Sequence, residues 1–499
     1  MQHMRPFMKI LKFFIFCIVS LLISSCNRNS SKSNAVKYDL GNILNQKEPI
    51  TINVWHYYSA SQKDKFDVLI ENFNTSEGAK YGVYVRCIRR AGNTSEISAF
   101  LADALAKKLG ADEIPDIFSA YPDTAYEFNK QDLLLDLSEF FTEKEKDEYV
   151  KSFLYSSGFG IEDEIKLFPV AKATEIFVLN KTAWKSFAEA AGVSYSDLVT
   201  WEGLVKVAEL YYKWTDSLTA EPNDGKSFFG RDALSNYILI GTYELGNSIF
   251  NVLENGDVDF VLDKKSLRTC WDNYYVPFVK GFFTAKGRFR TDDLKTGDII
   301  ACVTSTSSVM YLPSKIVDAS GKFIPVDLHV LPVPHFRNAK RKTVVQQGAG
   351  MAVLKSDIKR ETAAVLFLKW LTGMQKYSEF AVSTGNLPVK KKELEAESIA
   401  AAFCVDDICI LPVVQDALKV GLEEIKSLDI YFQPGFKNSD KARNLLADLL
   451  QEKAKEDRAK VLEKIKAGEN YNEALNEFLS DSCFEEWLKE LEKKLYNLK

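Results

Sequence analysis

The chain is 499 residues long and 46% hydrophobic, enough apolar material for more than one core, so two domains are expected. Its 64 basic and 69 acidic residues give a formal charge of -5, which speaks against nucleic acid as a partner. At the N-terminus, Arg5, Lys9 and Lys12 precede the apolar run from Phe13 to Ile23, with no acid before Cys26. That is the layout of a secretory signal peptide, starting at Met1 or Met8. The run is 11 residues long, and as a helix it would span about 16 Å, roughly half of a hydrocarbon core, so a membrane-spanning anchor is not expected.

The ending Ile23-Ser24-Ser25-Cys26 resembles the lipobox of bacterial lipoproteins, in which the cysteine is lipidated and becomes the mature N-terminus. Cleavage there would remove residues 1–25 with three positive charges and no negative ones, taking the formal charge from -5 to -8. Residues 26–47 are polar and read as a tether, with the folded body starting near Pro49. Of the eight cysteines, six lie beyond Cys26: Cys87, Cys270, Cys302, Cys404, Cys409 and Cys483. Cys404 and Cys409 are the closest pair. Without a CxxC or a neighbouring histidine, buried thiols or one disulfide are expected rather than a metal site.

The body opens with a strand, Ile50, Ile52 and Val54 alternating, and then a helical stripe of Phe66, Leu69, Ile70 and Phe73 with Ser61 as candidate N-cap. "VYVRCI" is a second strand. Ile97, Phe100, Leu101, Ala104, Leu105 and Leu109 make a second helical stripe, and "IPDIFSA" is a third strand. This βαβαβ order predicts a parallel sheet covered by helices, with ligands at the carboxyl ends of its strands. The loops there carry Trp55, His56, Tyr57, Tyr58, Arg90, Asn93, Tyr121 and Asp123. Each could equally be a turn former or a packing residue.

Further along, Lys172, Thr174 and Glu175 interrupt an apolar run, as a hinge or cleft crossing would. Thr200 caps a helix with the stripe Leu204, Val207, Ala208 and Tyr211. Asn255-Gly256 between apolar runs signals a hairpin. "GDIIACVTSTSS" is a buried strand ending in a hydroxyl-rich loop, and "KTVVQQGAGMAVLK" is a strand broken by Gly348 and Gly350. Residues 438–499 form charged helices with Leu445, Leu446, Leu449 and Leu450 on one face, expected to pack on the body. His56, His329 and His335 fall in no HExxH motif, no GxSxG occurs, and Gly225-Lys226-Ser227 lacks the first P-loop glycine, since residue 220 is Ala220. Paired carboxylates of a carbohydrate-active or phosphoester-cleaving enzyme are not excluded by this inventory, nor is a surface lipoprotein binding a protein partner.

Nine segments occur in a characteristic order: "VWHYYSASQKDKFDVLIENFN", "IPDIF", "LFPVAKATEIFVLNKTAW", "TWEGLVKVAELY", "GDIIACVTSTSS", "HVLPVPHF", "QQGAGMAVLKS", "AAVLFLKWLT" and "STGNLPVKK". In them the chain resembles family 1 of the bacterial extracellular solute-binding proteins, which feed ABC importers. The resemblance implies an α/β fold of the type II periplasmic-binding-protein kind. Each of its two lobes is a mostly parallel sheet flanked by helices, with the ligand in the cleft between them. Lobe 1 would be residues 48–166 plus 325–384, and lobe 2 residues 167–324 plus 385–499. It further implies a monomer, anchored outside the cytoplasm by lipid on Cys26, with permease subunits as partners and no catalysis, cofactor or metal.

The motifs are most similar to the glycerol-3-phosphate and glycerophosphodiester branch. Arg90 falls where that branch has a tyrosine, Asn386 where it has a tyrosine before the Leu-Pro, and Tyr237 near one of its paired tryptophans. Ser305 and Thr306 match its hydroxyl-rich loop, Gly348 its glycine pair and Arg443 its C-terminal arginine. The expected ligand set is therefore Trp55, His56, Tyr58, Arg90, Asn93, Tyr121, Asp123, Lys172, Thr174, Glu175, Tyr237, Ser305, Thr306, Gln347, Gly348, Asn386 and Arg443. The expected solute is a sugar, an oligosaccharide or a polyol phosphate.

Overall fold

The computed structural model describes residues 40–498 except 59, 90–93, 156–158, 160–162, 254–255, 318–320, 375–376 and 406–407. Cys26, Arg90 and Asn93 lie outside the described residues. Two sheets organise the chain. The first has the spatial order Val83–Arg89, Ile50–His56, Ile117–Ala120, Gly350–Val353, Phe168–Pro169. The second has the order Leu328–Leu331, Glu175–Asn180, Ala301–Ser305, Phe229–Arg231.

Residue alternation explains how each sheet is covered on both sides. In Ile50–His56, Ile52 and Val54 face the helices Ala60–Thr75 and Ile358–Gly373, meeting Phe66, Phe73 and Phe367. Trp55 points the other way, into a cluster with Ile97, Leu101 and Phe118. In the second sheet, Phe177, Leu179, Ala301 and Val303 share a core with Trp201 and Tyr237. Ile176, Val178 and Cys302 face Leu418 and Leu422 of the helix Pro412–Ser427.

The two-sheet α/β architecture matches the fold expected from sequence, but pairing is less parallel than expected. Ile50–His56 pairs in parallel with both its neighbours, whereas Gly350–Val353 runs antiparallel to Ile117–Ala120 and to Phe168–Pro169. In the second sheet only Phe229–Arg231 and Ala301–Ser305 pair in parallel. The chain leaves the first sheet after Phe168–Pro169 and comes back to it as Gly350–Val353, so the returning strand enters reversed. The two passages touch where Ala173 bridges Gln347, and the first also bridges Leu387 through Lys172.

Several local expectations are corrected. The helix Ala60–Thr75 already contains Ser61, so that serine is not its N-cap. The helix Thr94–Leu105 ends before Leu109, because Lys107 takes a left-handed conformation (φ 51°) that turns the chain out and leaves Leu109 fully exposed. The strands of the expected hairpin pair, Phe250–Val252 with Val258–Phe260, while Asn255 of its turn lies outside the described residues. Cys404 and Cys409 are disulfide-bonded, and Cys87, Cys270, Cys302 and Cys483 are free. The C-terminal helices Ser439–Lys466 and Asp481–Tyr496 pack on the helix Lys264–Val279. Among the described residues no helix is long and apolar enough to cross a membrane.

Candidate functional site

Where the passages meet, between the two sheets, lies a cavity of about 360 Å³. That size falls in the range of small-molecule sites. Tyr57, Tyr58 and Tyr121 reach it from the carboxyl ends of two parallel strands, the position where open α/β sheets expose loops. Phe380 and Phe432 add apolar surface, with Tyr58 and Phe380 meeting edge to face at 6.2 Å between centroids. From the end of the strand Ala301–Ser305 and the turn after it come Ser305 and Ser307, whose hydroxyls share a hydrogen bond of 3.0 Å. The passages themselves supply Lys172, Gln346, Gln347 and Gly348, and the chain after the helix Tyr377–Ser383 supplies Thr384 and Asn386.

Gly348 is required by this crossing. Its φ is +98°, and a Cβ there would sit 2.7 Å from the Ala171 carbonyl oxygen of the other passage. The Lys172 ammonium donates to the Gly348 carbonyl at 3.0 Å, and burial lowers its pKa to about 7. Burial has the opposite effect on the phenols of Tyr57, Tyr58 and Tyr121, pushing all three up, so they stay neutral donors at any physiological pH.

The polar end of the cavity belongs to Arg443, near the start of the helix Ser439–Lys466. Its Nε donates to the Ser235 hydroxyl and its Nη2 to Asn236 Oδ1, each at 3.1 Å. Asn236 Nδ2 in turn donates to Glu175 Oε1 at 2.7 Å, while Glu175 Oε2 is ion-paired with Arg231. Arg443 forms no ion pair with any described residue, so a cation with only neutral hydrogen-bond partners lines the cavity. Asp123 is near enough for Arg443 to pull its pKa down, but burial dominates and raises it, and its Oδ1 is committed to the Thr124 amide at 2.6 Å.

Tyrosine faces, hydroxyls, amides and a guanidinium with only neutral hydrogen-bond partners around one cavity suit capture of a polar solute. A family model described as bacterial extracellular solute-binding protein matches residues 69–403. The chain belongs to this family. No curated protein sequence matches this solute-binding protein. Among solved structures it is similar to the cyclic alpha-maltosyl-1,6-maltose binding protein of Arthrobacter globiformis, with TM-score 0.62, 16% identity, and coverage of 86% of this chain and 97% of that one. It is also similar to UgpB of Mycobacterium tuberculosis in complex with glycerophosphocholine, at TM-score 0.60 and 18% identity, covering 82% and 96%. The maltose/maltodextrin-binding domain MalE of Bdellovibrio bacteriovorus, bound to maltotriose, aligns at TM-score 0.57 and 14% identity, covering 90% and 100%. At these identities the likeness is one of fold, the two-lobed fold of solute-binding proteins.

Of the residues singled out in the sequence, Tyr58, Tyr121, Lys172, Ser305, Gln347, Gly348, Asn386 and Arg443 line the cavity of this solute-binding protein. Thr174, Glu175 and Thr306 stand behind the wall, all buried, with the Thr306 amide donating to the Thr174 carbonyl at 2.8 Å. Asp123 is not part of the lining either. Trp55, His56 and Tyr237 are placed elsewhere, in the cores. Trp55 is 2% exposed on the far face of its strand. His56 packs against Phe66, and its Nδ1 accepts from the Tyr58 amide at 3.1 Å; burial lowers its pKa to about 4, so it is a neutral prop for the tyrosine loop. Tyr237 is wedged against Trp201 and donates its hydroxyl to the Cys270 carbonyl at 2.9 Å.

Asn236, Ser307, Phe380, Phe432 and Gln433 line the cavity outside the expected ligand set, as does Tyr57, which stands among the loop residues named in the sequence with packing as an equal alternative. Ser307 lies in the hydroxyl-rich loop that follows the strand Ala301–Ser305, a loop the sequence already marks. Asn236 is one helical residue away from the tyrosine that was chosen instead. Phe432 and Gln433 follow the short strand Asp429–Tyr431, which carries no pattern visible in the sequence.

Proposed function

We propose that this protein is the lipid-anchored, extracytoplasmic substrate-binding component of an ABC importer, capturing a sugar, an oligosaccharide or a polyol phosphate by lobe closure. One jaw would be built on the first sheet and the other on the second, with the bounds expected from sequence (48–166 plus 325–384, and 167–324 plus 385–499) shifted so that Phe168–Pro169 goes with the first and Leu328–Leu331 with the second, as their strand pairing requires. Lipidated Cys26 would hold the monomer beside its permease. Family membership supports the binding role. The observation that carries the solute class is the pairing of a tyrosine-lined wall with Arg443, whose hydrogen bonds go only to neutral oxygens. Rings stack on the apolar faces of sugars, and a guanidinium prefers phosphate or clustered hydroxyls. Ligand contacts made to both jaws favour the closed state, which is the whole of the required chemistry.

The reading is tested by native mass spectrometry of freshly purified protein, followed by calorimetric titration with maltose, maltotriose and glycerophosphocholine. A co-purified polar solute, or heat from one of the panel, is expected. No bound solute and no heat from any of them would overturn the proposed solute class.

A further inference from the structure

Glu175 occupies an unusual place for a charged residue. It opens the strand Glu175–Asn180 just past the passage between sheets, is 3% exposed, and does not line the ligand cavity. It lines instead a second cavity of about 20 Å³ behind the first, and Asn236 belongs to both walls. Its partner Arg231 is equally buried and lies over the rings of Trp201 and Tyr237, each 5.6 Å from the guanidinium carbon. A buried ion pair adds little stability by itself. What this one does for its surroundings is more specific.

A carboxylate only accepts hydrogen bonds and a guanidinium only donates them. Asn236 stands between one of each: Glu175 Oε1 at 2.7 Å from its Nδ2, and Arg443 Nη2 at 3.1 Å from its Oδ1. A single amide orientation satisfies both neighbours. Turned over, Asn236 would set oxygen against carboxylate and NH2 against guanidinium. The same Oε1 also accepts from Gln347 Nε2, at a longer 3.4 Å, so two cavity-lining amides are polarised by one hidden carboxylate. The order runs Arg231, Glu175, Asn236, Arg443, and only the last two reach the cavity.

We propose that Glu175 is a positioning residue for ligand capture: through Asn236 it fixes Arg443, so that the cavity presents a guanidinium donor beside an amide carbonyl acceptor. A solute with an anionic or hydroxyl acceptor next to a hydroxyl donor fits that pair. The inference rests on the cavity being the solute site.

The test uses the full chain. Glu175→Gln alone leaves Arg231 buried without its counter-charge, so Glu175→Gln/Arg231→Gln, which removes both charges, is made beside it. In a crystal structure of the folded double variant, Arg443 is expected to have left Asn236 Oδ1; an unchanged Arg443–Asn236 pair overturns the proposal. In calorimetry with glycerophosphocholine, and with maltotriose as uncharged comparator, affinity is expected to fall about tenfold, the scale of a lost charge-assisted hydrogen bond. Adding the two charge-removing changes to Asn236→Ala is expected to cause no further loss, because Glu175 acts through that amide. Losses that multiply would mean Glu175 acts by general structural support and would refute the positioning role. If wild type binds neither probe, the solute class falls while the crystallographic arm still decides this inference.

Discussion

Glu424, on the helix Pro412–Ser427 behind the cleft, gives a prediction whose size follows from its surroundings. It is 4% exposed; its Oε1 accepts from the Val333 amide at 3.2 Å, and its Oε2 has no hydrogen-bond partner. Burial, reinforced by the charge of Glu175, pushes its carboxyl from 4.5 to about 8. Glu175 with Arg231, and Glu244 with His335, line the same small cavity or adjoin it. The folded protein thus holds this proton more tightly than the unfolded chain does. The associated stability is fully present below about pH 4.5 and is lost as pH rises to about 8. At about 1.4 kcal/mol per pH unit, that interval corresponds to roughly 5 kcal/mol as an upper figure. Glu424→Gln keeps an acceptor for Val333 and removes the titration. Urea unfolding at pH 5, 6, 7 and 8 is expected to show the variant gaining on wild type with each step, by several kcal/mol at pH 8. Parallel profiles would refute the reasoning, because they would mean Glu424 ionises in the folded state as it does in water.

Three further outcomes follow from the same placements. Arg443→Ala is expected to weaken solute binding strongly in calorimetry while moving the melting temperature of the unliganded protein little, since Arg443 is only half-buried and bonds to neutral oxygens. Trp55→Ala is expected to cost about 3–5 kcal/mol in chemical denaturation, the range for emptying a large aromatic site, because its ring is core and not cavity lining. His56, whose pKa is lowered to about 4 by burial, supplies stability that is present above about pH 6.5 and is lost as pH falls toward 4. Acid unfolding of His56→Gln against wild type is expected to show a weaker pH dependence in that window.

Periodicity made much of the fold legible. Ile52 and Val54 alternate on a strand, Phe66 to Phe73 repeat as a helix, and Lys172 to Glu175 break an apolar run where the chain does pass between sheets. The cavity-lining residues that could be named were those set by strand ends and by this passage. Trp55 was misplaced because a strand reverses the direction of its side chains at each residue, and one position before the loop is enough to send a ring into the opposite core. Tyr237 and Asn236 differ by one step of about 100° around a helix, so the neighbour of a core tyrosine faces the ligand wall. The antiparallel return of Gly350–Val353 and the joining of Arg443 to Asn236 across 207 positions depend on how distant segments meet, which local patterning does not encode.

The most direct measurement of the central claim is a crystal structure of the protein with the solute it carries or binds in titration. The account predicts density for that solute between the tyrosine wall of Tyr57, Tyr58 and Tyr121 and the guanidinium of Arg443. Solute density elsewhere on the molecule, with this cavity holding only water, would contradict it.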